Sequence, residues 1–255
     1  MRGLLRLLFS SRPETPCYLT PIIAPIQQAP DQSLSPSERA LVWRIPFLRL
    51  KRKFLTPAVN ERIVELPWVL RTLAAFPGSR VLDFGCSNSP LSLEMAAMGH
   101  KVVGADLRPY GYTHPNFELI QGDFLRIPTP EKYFDVVVAV SAVEHVGLDG
   151  VYGGPTHESG DRAIVRKFLE VLKPGGALLL TVPFGLAGEN PGYRVYDALG
   201  LAALLVGFEV REKLFFLGER QLEWIEVPES RLADVPSHEN GLTQGVALVF
   251  AAKPA

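Results

Sequence analysis

The chain has 255 residues, 47% hydrophobic and 21% charged, with 26 Lys and Arg against 27 Asp and Glu for a formal net charge of -1. This is the composition of a globular protein with a sizeable core and excludes a largely disordered chain. The near-neutral balance supplies no long-range attraction to nucleic acid, so no nucleic-acid partner is expected. Two cysteines, Cys17 and Cys86, exclude a disulfide framework and a multi-cysteine zinc site; no metal site is expected, and a reducing compartment such as the cytoplasm fits best.

The first twelve residues set Arg2, Arg6 and Arg12 around Leu4, Leu5, Leu7, Leu8 and Phe9. Frayed terminal helices, transit peptides and weak membrane-surface helices share that pattern. Pro13, Pro16, Pro21, Pro25, Pro30, Pro36, Pro46 and Pro57 follow with no long periodic segment, so residues 1–59 read as a proline-rich, partly ordered extension. Inside it, residues 41–55 mix Trp43, Phe47 and Phe54 with Arg44, Arg49, Lys51, Arg52 and Lys53. Either the apolar side chains dock on the main domain and the charges face water, or the segment touches an anionic surface. No transmembrane segment is expected, because the longest apolar run, residues 198–208, holds about 11 residues where a span needs about 20.

From residue 60 to 255 the pattern is that of one domain. Apolar spacing predicts a helix over 61–76, with Pro67 ending or kinking a turn. Strands are predicted at 80–84, 101–106, 117–121, 134–140, 177–182, 208–216 and 245–251, with helices at 91–98, 161–172 and 195–205. Ser89 and Pro90 suit the N-cap and first position of the second helix. The alternation implies an α/β fold with a doubly wound, mainly parallel seven-stranded sheet and an antiparallel last strand. Ligands of such sheets bind beyond the carboxyl ends of the strands, where strand order reverses.

The strand exits carry the chemistry. The first reads VLDFGCSNSP over 81–90. Gly85 allows close backbone approach, and Asp83 stands two residues before it. A pyrophosphate site wants G-x-G-x-x-G at this turn. An acid there repels phosphate but suits the cationic amino group of a methionine moiety. The second strand ends at Asp106, followed by Leu107; an acid in this place bonds a ribose hydroxyl pair. The third exit offers Asp123 and Phe124 to an adenine amino group and face, although Gly122-Asp123 alone is also a common turn. After the fourth strand, Glu144 and His145 are the candidates for a general base, needed only if the acceptor must lose a proton. They could equally cap a helix or pack beneath the ligand. Tyr152, Tyr193, Arg194 and Tyr196 lie in loops where an acceptor would be held, or where a loop would simply be anchored.

Residues 81–90, 102–106, 121–124, 134–145 and 172–183 together resemble the successive motifs of the class I S-adenosylmethionine (SAM)-dependent methyltransferases, in register over about residues 60–255. The resemblance implies SAM as cofactor, with Asp83, Gly85 and Ser87 at its methionine end, Asp106 on the ribose, Asp123 and Phe124 at the adenine, and Ser141 beneath it. Ser87 and Ser89 stand where the family commonly has glycine. Residues 144–148, 152–154, 160–161 and 193–197 are similar to methyltransferases of bacterial glycan assembly, which implies a glycan hydroxyl, or another small-molecule oxygen, as acceptor. Two rivals remain at this point. One is a SAM-binding scaffold without turnover. The other is an NAD(P)-dependent oxidoreductase, which lacks both its three-glycine turn and a tyrosine followed four residues later by lysine.

Overall fold

The computed structural model describes residues 59–87, 89–148, 152, 154–219, 223–236 and 244–255. The extension 1–58, with both basic apolar segments, 1–12 and 41–55, lies outside the described residues.

Strands β1 (Arg80–Phe84), β2 (Lys101–Asp106), β3 (Phe117–Gln121) and β4 (Phe134–Val140) have the bounds the sequence predicts. β5 (Leu172–Pro183) starts earlier than expected: Leu172 already pairs with Phe134, and the ladder resumes at Val136 and Ala177 after a register shift. The Lys-Pro-Gly-Gly sequence is therefore a bulge within the pairing, with Gly175 at φ +73°, a conformation that suits glycine. Two short strands, β6 (Gly188–Glu189) and β7 (Arg194–Val195), pair as a separate hairpin. They are followed by β8 (Glu209–Glu219), β9 (Glu223–Glu226) and β10 (Gly245–Ala252).

The main sheet has eight strands in the order β3-β2-β1-β4-β5-β10-β8-β9. β1 to β5 are parallel. β10 is antiparallel to both neighbours, β5 and β8. The eighth strand, β9, is a short acidic edge antiparallel to β8; four residues without alternating apolar character leave no signal to read. Strand order reverses between β1 and β4, so the crevice forms beyond their carboxyl ends.

Both faces are covered, as alternation along β4 requires. Val136 and Val138 pack on one side with Trp68, Val69, Leu73, Leu91 and Met95 from α1 (Arg62–Leu73) and α2 (Leu91–Ala97). Val137 and Ala139 pack on the other with Ile164, Phe168, Leu201 and Leu204 from α3 (Gly160–Val171) and α4 (Ala198–Leu204). α2 begins after Pro90, with Ser89 Oγ accepting from Leu91 N at 3.2 Å. α4 begins after Asp197, whose carboxylate accepts from Gly200 N at 2.7 Å; Val195, expected in this helix, is in β7 instead.

Of the two outcomes expected at Pro67, an end or a kink, the end does not occur: α1 runs through it. A helical proline deprives the carbonyl four residues earlier of its donor. Pro67 is exposed, and so is Ile63 at 55%, so the orphaned carbonyl belongs to the solvent face, where water serves it. Pro67→Ala restores the missing N–H on that face, and the expected outcome is a gain of about 1–3 kcal/mol, read as a higher urea midpoint with unchanged m-value.

Candidate active site

A cleft of about 510 Å³ opens at the reversal point, within the usual range for small-molecule and cofactor sites. Its wall includes Asp83, Gly85, Ser87, Asp106, Leu107, Asp123, Phe124, Ser141, His145 and Tyr152. The strand-tip acids expected to share a ligand thus share one cavity. Glu144, Tyr193, Arg194 and Tyr196 are not on that wall.

The close approach of the β1 and β4 exits depends on Gly85. Its φ is +78°, and a Cβ there would stand 2.5 Å from the Ala142 Cβ. Beside it, Asp83 is 3% exposed and accepts from Ser92 Oγ at 2.5 Å. Burial pushes its carboxyl up to about 7, opposed by the Ser92 bond and reinforced by the charge of Asp106. Asp106 accepts at one oxygen from Arg108 N (2.9 Å) and Nε (3.1 Å), and at the other from Ser87 N (2.9 Å) and Arg108 Nη2 (3.3 Å). Ser87 Oγ lies 3.3 Å from the carbonyls of Arg108 and Pro109, and Tyr110 Oη donates to Ser89 O at 2.7 Å. The Ser87 hydroxyl and the Ser89 carbonyl thus tie the β1 and β2 exits together.

Asp123 accepts from Leu125 N at 3.1 Å and pairs with Arg126 at 3.2 Å. Phe124 does not offer the stacking face expected of it. It is 3% exposed, its ring packs on Phe84, and the Lys167 ammonium lies 4.6 Å from its centroid. Leu107, 37% exposed on the cleft wall, is the available apolar platform.

The floor is set by a residue that sequence reasoning passed over. Glu65 of α1 has no exposed surface, and its carboxylate accepts from Ser141 Oγ (2.7 Å), Thr181 Oγ1 (2.6 Å) and Arg62 Nη1 (2.5 Å). Ser141 N in turn donates to Thr181 Oγ1 at 3.0 Å, which holds Ser141 at φ +40°. The only signal was an acid at the buried spacing of an otherwise apolar helix face.

His145 sits in the 3-10 turn Val143–His145 after β4. Its Nδ1 is 2.6 Å from Gly192 O. A carbonyl can only accept, so Nδ1 carries the proton and the neutral ring keeps its lone pair on Nε2. Burial lowers the imidazole pKa; the Gly192 bond opposes this, and the charges of Arg62 and Arg108 add to it. Glu144 is 2% exposed, its Oε1 is 3.7 Å from His145 Nε2, and its Oε2 has no hydrogen-bond partner. Burial pushes its carboxyl up to about 8, so it is largely a neutral acid at pH 7. The ring of Tyr152 stands edge-to-face with His145 at 4.9 Å and under the Arg108 guanidinium at 4.4 Å.

Arg194 and Tyr196 are buried at 8% and 5%. The Arg194 guanidinium donates to Glu189 (2.8 Å) and to Val146 O (2.7 Å), and Tyr196 Oη donates to Asp161 at 3.0 Å. Tyr193 presents its ring to His145 at 6.2 Å. These side chains brace the β6–β7 hairpin against the β4 exit.

A doubly wound sheet that gathers carboxylates from its first three strand tips around one cleft has the form of a nucleotide- or cofactor-binding site. Comparison with known proteins makes the class specific. Residues 82–180 match the family model described as a methyltransferase domain. The ubiquinone biosynthesis O-methyltransferase of Xanthomonas campestris pv. campestris is 30% identical over 189 residues, 68% of this chain and 70% of that protein. A sterol 24-C-methyltransferase of Gibberella zeae is 30% identical over 113 residues, 39% of this chain and 26% of its own. Among solved structures, the 1,6-didemethyltoxoflavin-N1-methyltransferase of Burkholderia thailandensis, with bound 1,6-didemethyltoxoflavin and S-adenosylhomocysteine, superposes with TM-score 0.55 at 17% identity, over 89% of this chain and 93% of that one. This chain belongs to the class I SAM-dependent methyltransferases. It is an enzyme, SAM is its cofactor, and both rivals from the sequence fall away. Among the described residues, no helix is long and apolar enough to cross a membrane.

The Glu144 environment makes a signed prediction. A carboxyl whose folded pKa lies above its unfolded value stabilises the fold fully below about 4.5 and loses that contribution as pH rises toward about 8. Glu144→Gln, isosteric and always neutral, should match the wild type near pH 4.5 and exceed it increasingly up to pH 8, measured by denaturant titration at each pH. A stability gap that stays constant with pH would contradict the neutral-acid assignment.

Proposed function

We propose that the methyl acceptor is a hydroxyl oxygen on a small, ring-bearing molecule and that His145 is the general base. The observation that carries this reading is the His145–Gly192 bond, which puts the proton of a neutral imidazole on Nδ1 and the lone pair on Nε2, in a residue that lines the cleft. A hydroxyl must shed its proton as it attacks, and the ideal base titrates near the working pH. The name of the Xanthomonas relative, an O-methyltransferase, supports oxygen over carbon or nitrogen.

SAM supplies a methyl carbon made electrophilic by the sulfonium. The chain's residues do the rest. Asp83, Gly85 and Ser87 hold the methionine end, Asp106 the ribose, Leu107 and Asp123 the adenine, and Ser141 and Ala142 underlie the reacting centre. The acceptor O–H donates to His145 Nε2. His145 Nε2 would take that proton as the hydroxyl oxygen accepts the methyl group that SAM supplies, and would return it to solvent. Tyr152, Val146, Leu148 and Pro155 make the wall beside the base, and their apolar surfaces favour a phenol-like ring over a bare sugar. The glycan resemblance loses weight because much of it falls on Gly160, Asp161, Arg194 and Tyr196, whose roles here are in the scaffold.

Two measurements test the reading. kcat/KM should rise with pH through a pKa below 6.5 and then level off. His145→Gln should remove that limb and cost about 10²–10⁴ in rate while S-adenosylhomocysteine still binds; an unchanged pH profile would rule out the base. Labelled SAM offered to matched panels of phenols and glycosides should label the phenols, and transfer confined to glycosides would overturn the acceptor class.

A further inference from the structure

The carboxylate meant for the ribose is already fully engaged. A carboxylate has about four lone-pair sites, and Asp106 receives four donors: the backbone N–H groups of Ser87 and Arg108, and the Nε and Nη2 of the Arg108 guanidinium. The two backbone donors belong to the loops that build the site. The two guanidinium donors lie on separate oxygens, 3.1 and 3.3 Å away, which is how the two hydroxyls of a vicinal diol would approach. Guanidinium and diol cannot occupy these positions together. Of the four donors only the guanidinium can leave without moving the backbone. Its side chain is one-third exposed, and its other contacts among the described residues are the Tyr152 ring and a long 3.5 Å approach to Ser87 O.

We propose that Arg108 is an internal competitor for the ribose subsite, a diol mimic that the cofactor must displace and that thereby sets its affinity. This rests on Asp106 being the ribose ligand. The consequence runs against the usual expectation for an arginine in a binding cleft: removing it tightens binding. The competition weakens SAM and the S-adenosylhomocysteine product alike, which favours turnover where product release limits the rate. The apparent dissociation constant is the intrinsic one divided by the fraction of molecules in which the guanidinium has left Asp106.

The test is calorimetric titration of the full-length protein with S-adenosylhomocysteine, in the wild type, Arg108→Ala, Arg108→Gln, Asp106→Asn and the double variant Asp106→Asn/Arg108→Ala. Arg108→Ala should bind roughly three- to tenfold tighter than wild type. Asp106→Asn should bind weaker, and adding Arg108→Ala to it should bring no gain, because the competitor has lost its target. Arg108→Gln, which keeps bulk but not the charged fork, should also tighten binding, and it provides the same readout if the alanine variant misfolds. Unchanged or weaker binding in the Arg108 variants, with Asp106→Asn impaired, overturns the competitor while leaving the ribose assignment standing. Wild-type affinity in Asp106→Asn overturns both.

Discussion

The site depends on a carboxylate that never meets water. Burying an ion costs several kcal/mol unless its partners replace the lost hydration, and Glu65 finds them on α1 itself and on the tips of β4 and β5. The bond set therefore works in both directions. It compensates the charge, and it ties the first helix to the strand ends that flank the reversal point. Ser141 is part of the same arrangement. A non-glycine residue at φ +40° carries strain of about 1–3 kcal/mol, and it persists because both its N–H and its hydroxyl are held. With α1 locked in this way, Asn60, Glu61 and Arg62 join the cleft wall, so the site extends beyond the 82–180 segment that matches the family model.

Against that frame, the acids of the cleft act as an electrostatic filter. Burial, reinforced by the charge of Asp106, raises the Asp83 carboxyl to about 7. A ligand bringing positive charge relieves this tension and draws Asp83 toward its ionised form. A pyrophosphate would deepen it. The preference for a sulfonium and ammonium over a dinucleotide thus lies in the charge arrangement, before any shape is considered.

The strand tips were legible because a parallel strand buried on both faces is a short apolar run with a defined end, and β1 to β4 were read to the residue. Asp83, Asp106 and Asp123 could be placed by counting from those ends. What escaped notice was decided by distant partners. Pro67 looked like a helix breaker because a sequence does not show which face of α1 meets water. Phe124 looked like a stacking ring because nothing local announces Phe84 and Lys167 beside it. The weak pair β6–β7 holds only two residues per strand, below the length at which alternation means anything. Glu65 is the clearest case, since its role is set by Ser141 and Thr181, 76 and 116 residues away.

That small hairpin has a function out of proportion to its length. Asn190 Oδ1 accepts from the N–H groups of Gly192 and Tyr193 at 2.8 and 2.9 Å, an Asx-type turn that leaves the Gly192 carbonyl free to receive His145. Arg194 fastens the same hairpin to Val146 O, one residue past His145, and Tyr196 fastens it to Asp161 on α3. His145 and the Gly192 carbonyl are thus held by two anchors independent of the bond between them. A neutral histidine has two tautomers of similar energy, and only one leaves Nε2 free. Arg194 and Tyr196, which resembled acceptor ligands in the sequence, act one step further back: they fix the hairpin, the hairpin fixes the carbonyl, and the carbonyl decides which nitrogen of His145 carries the proton.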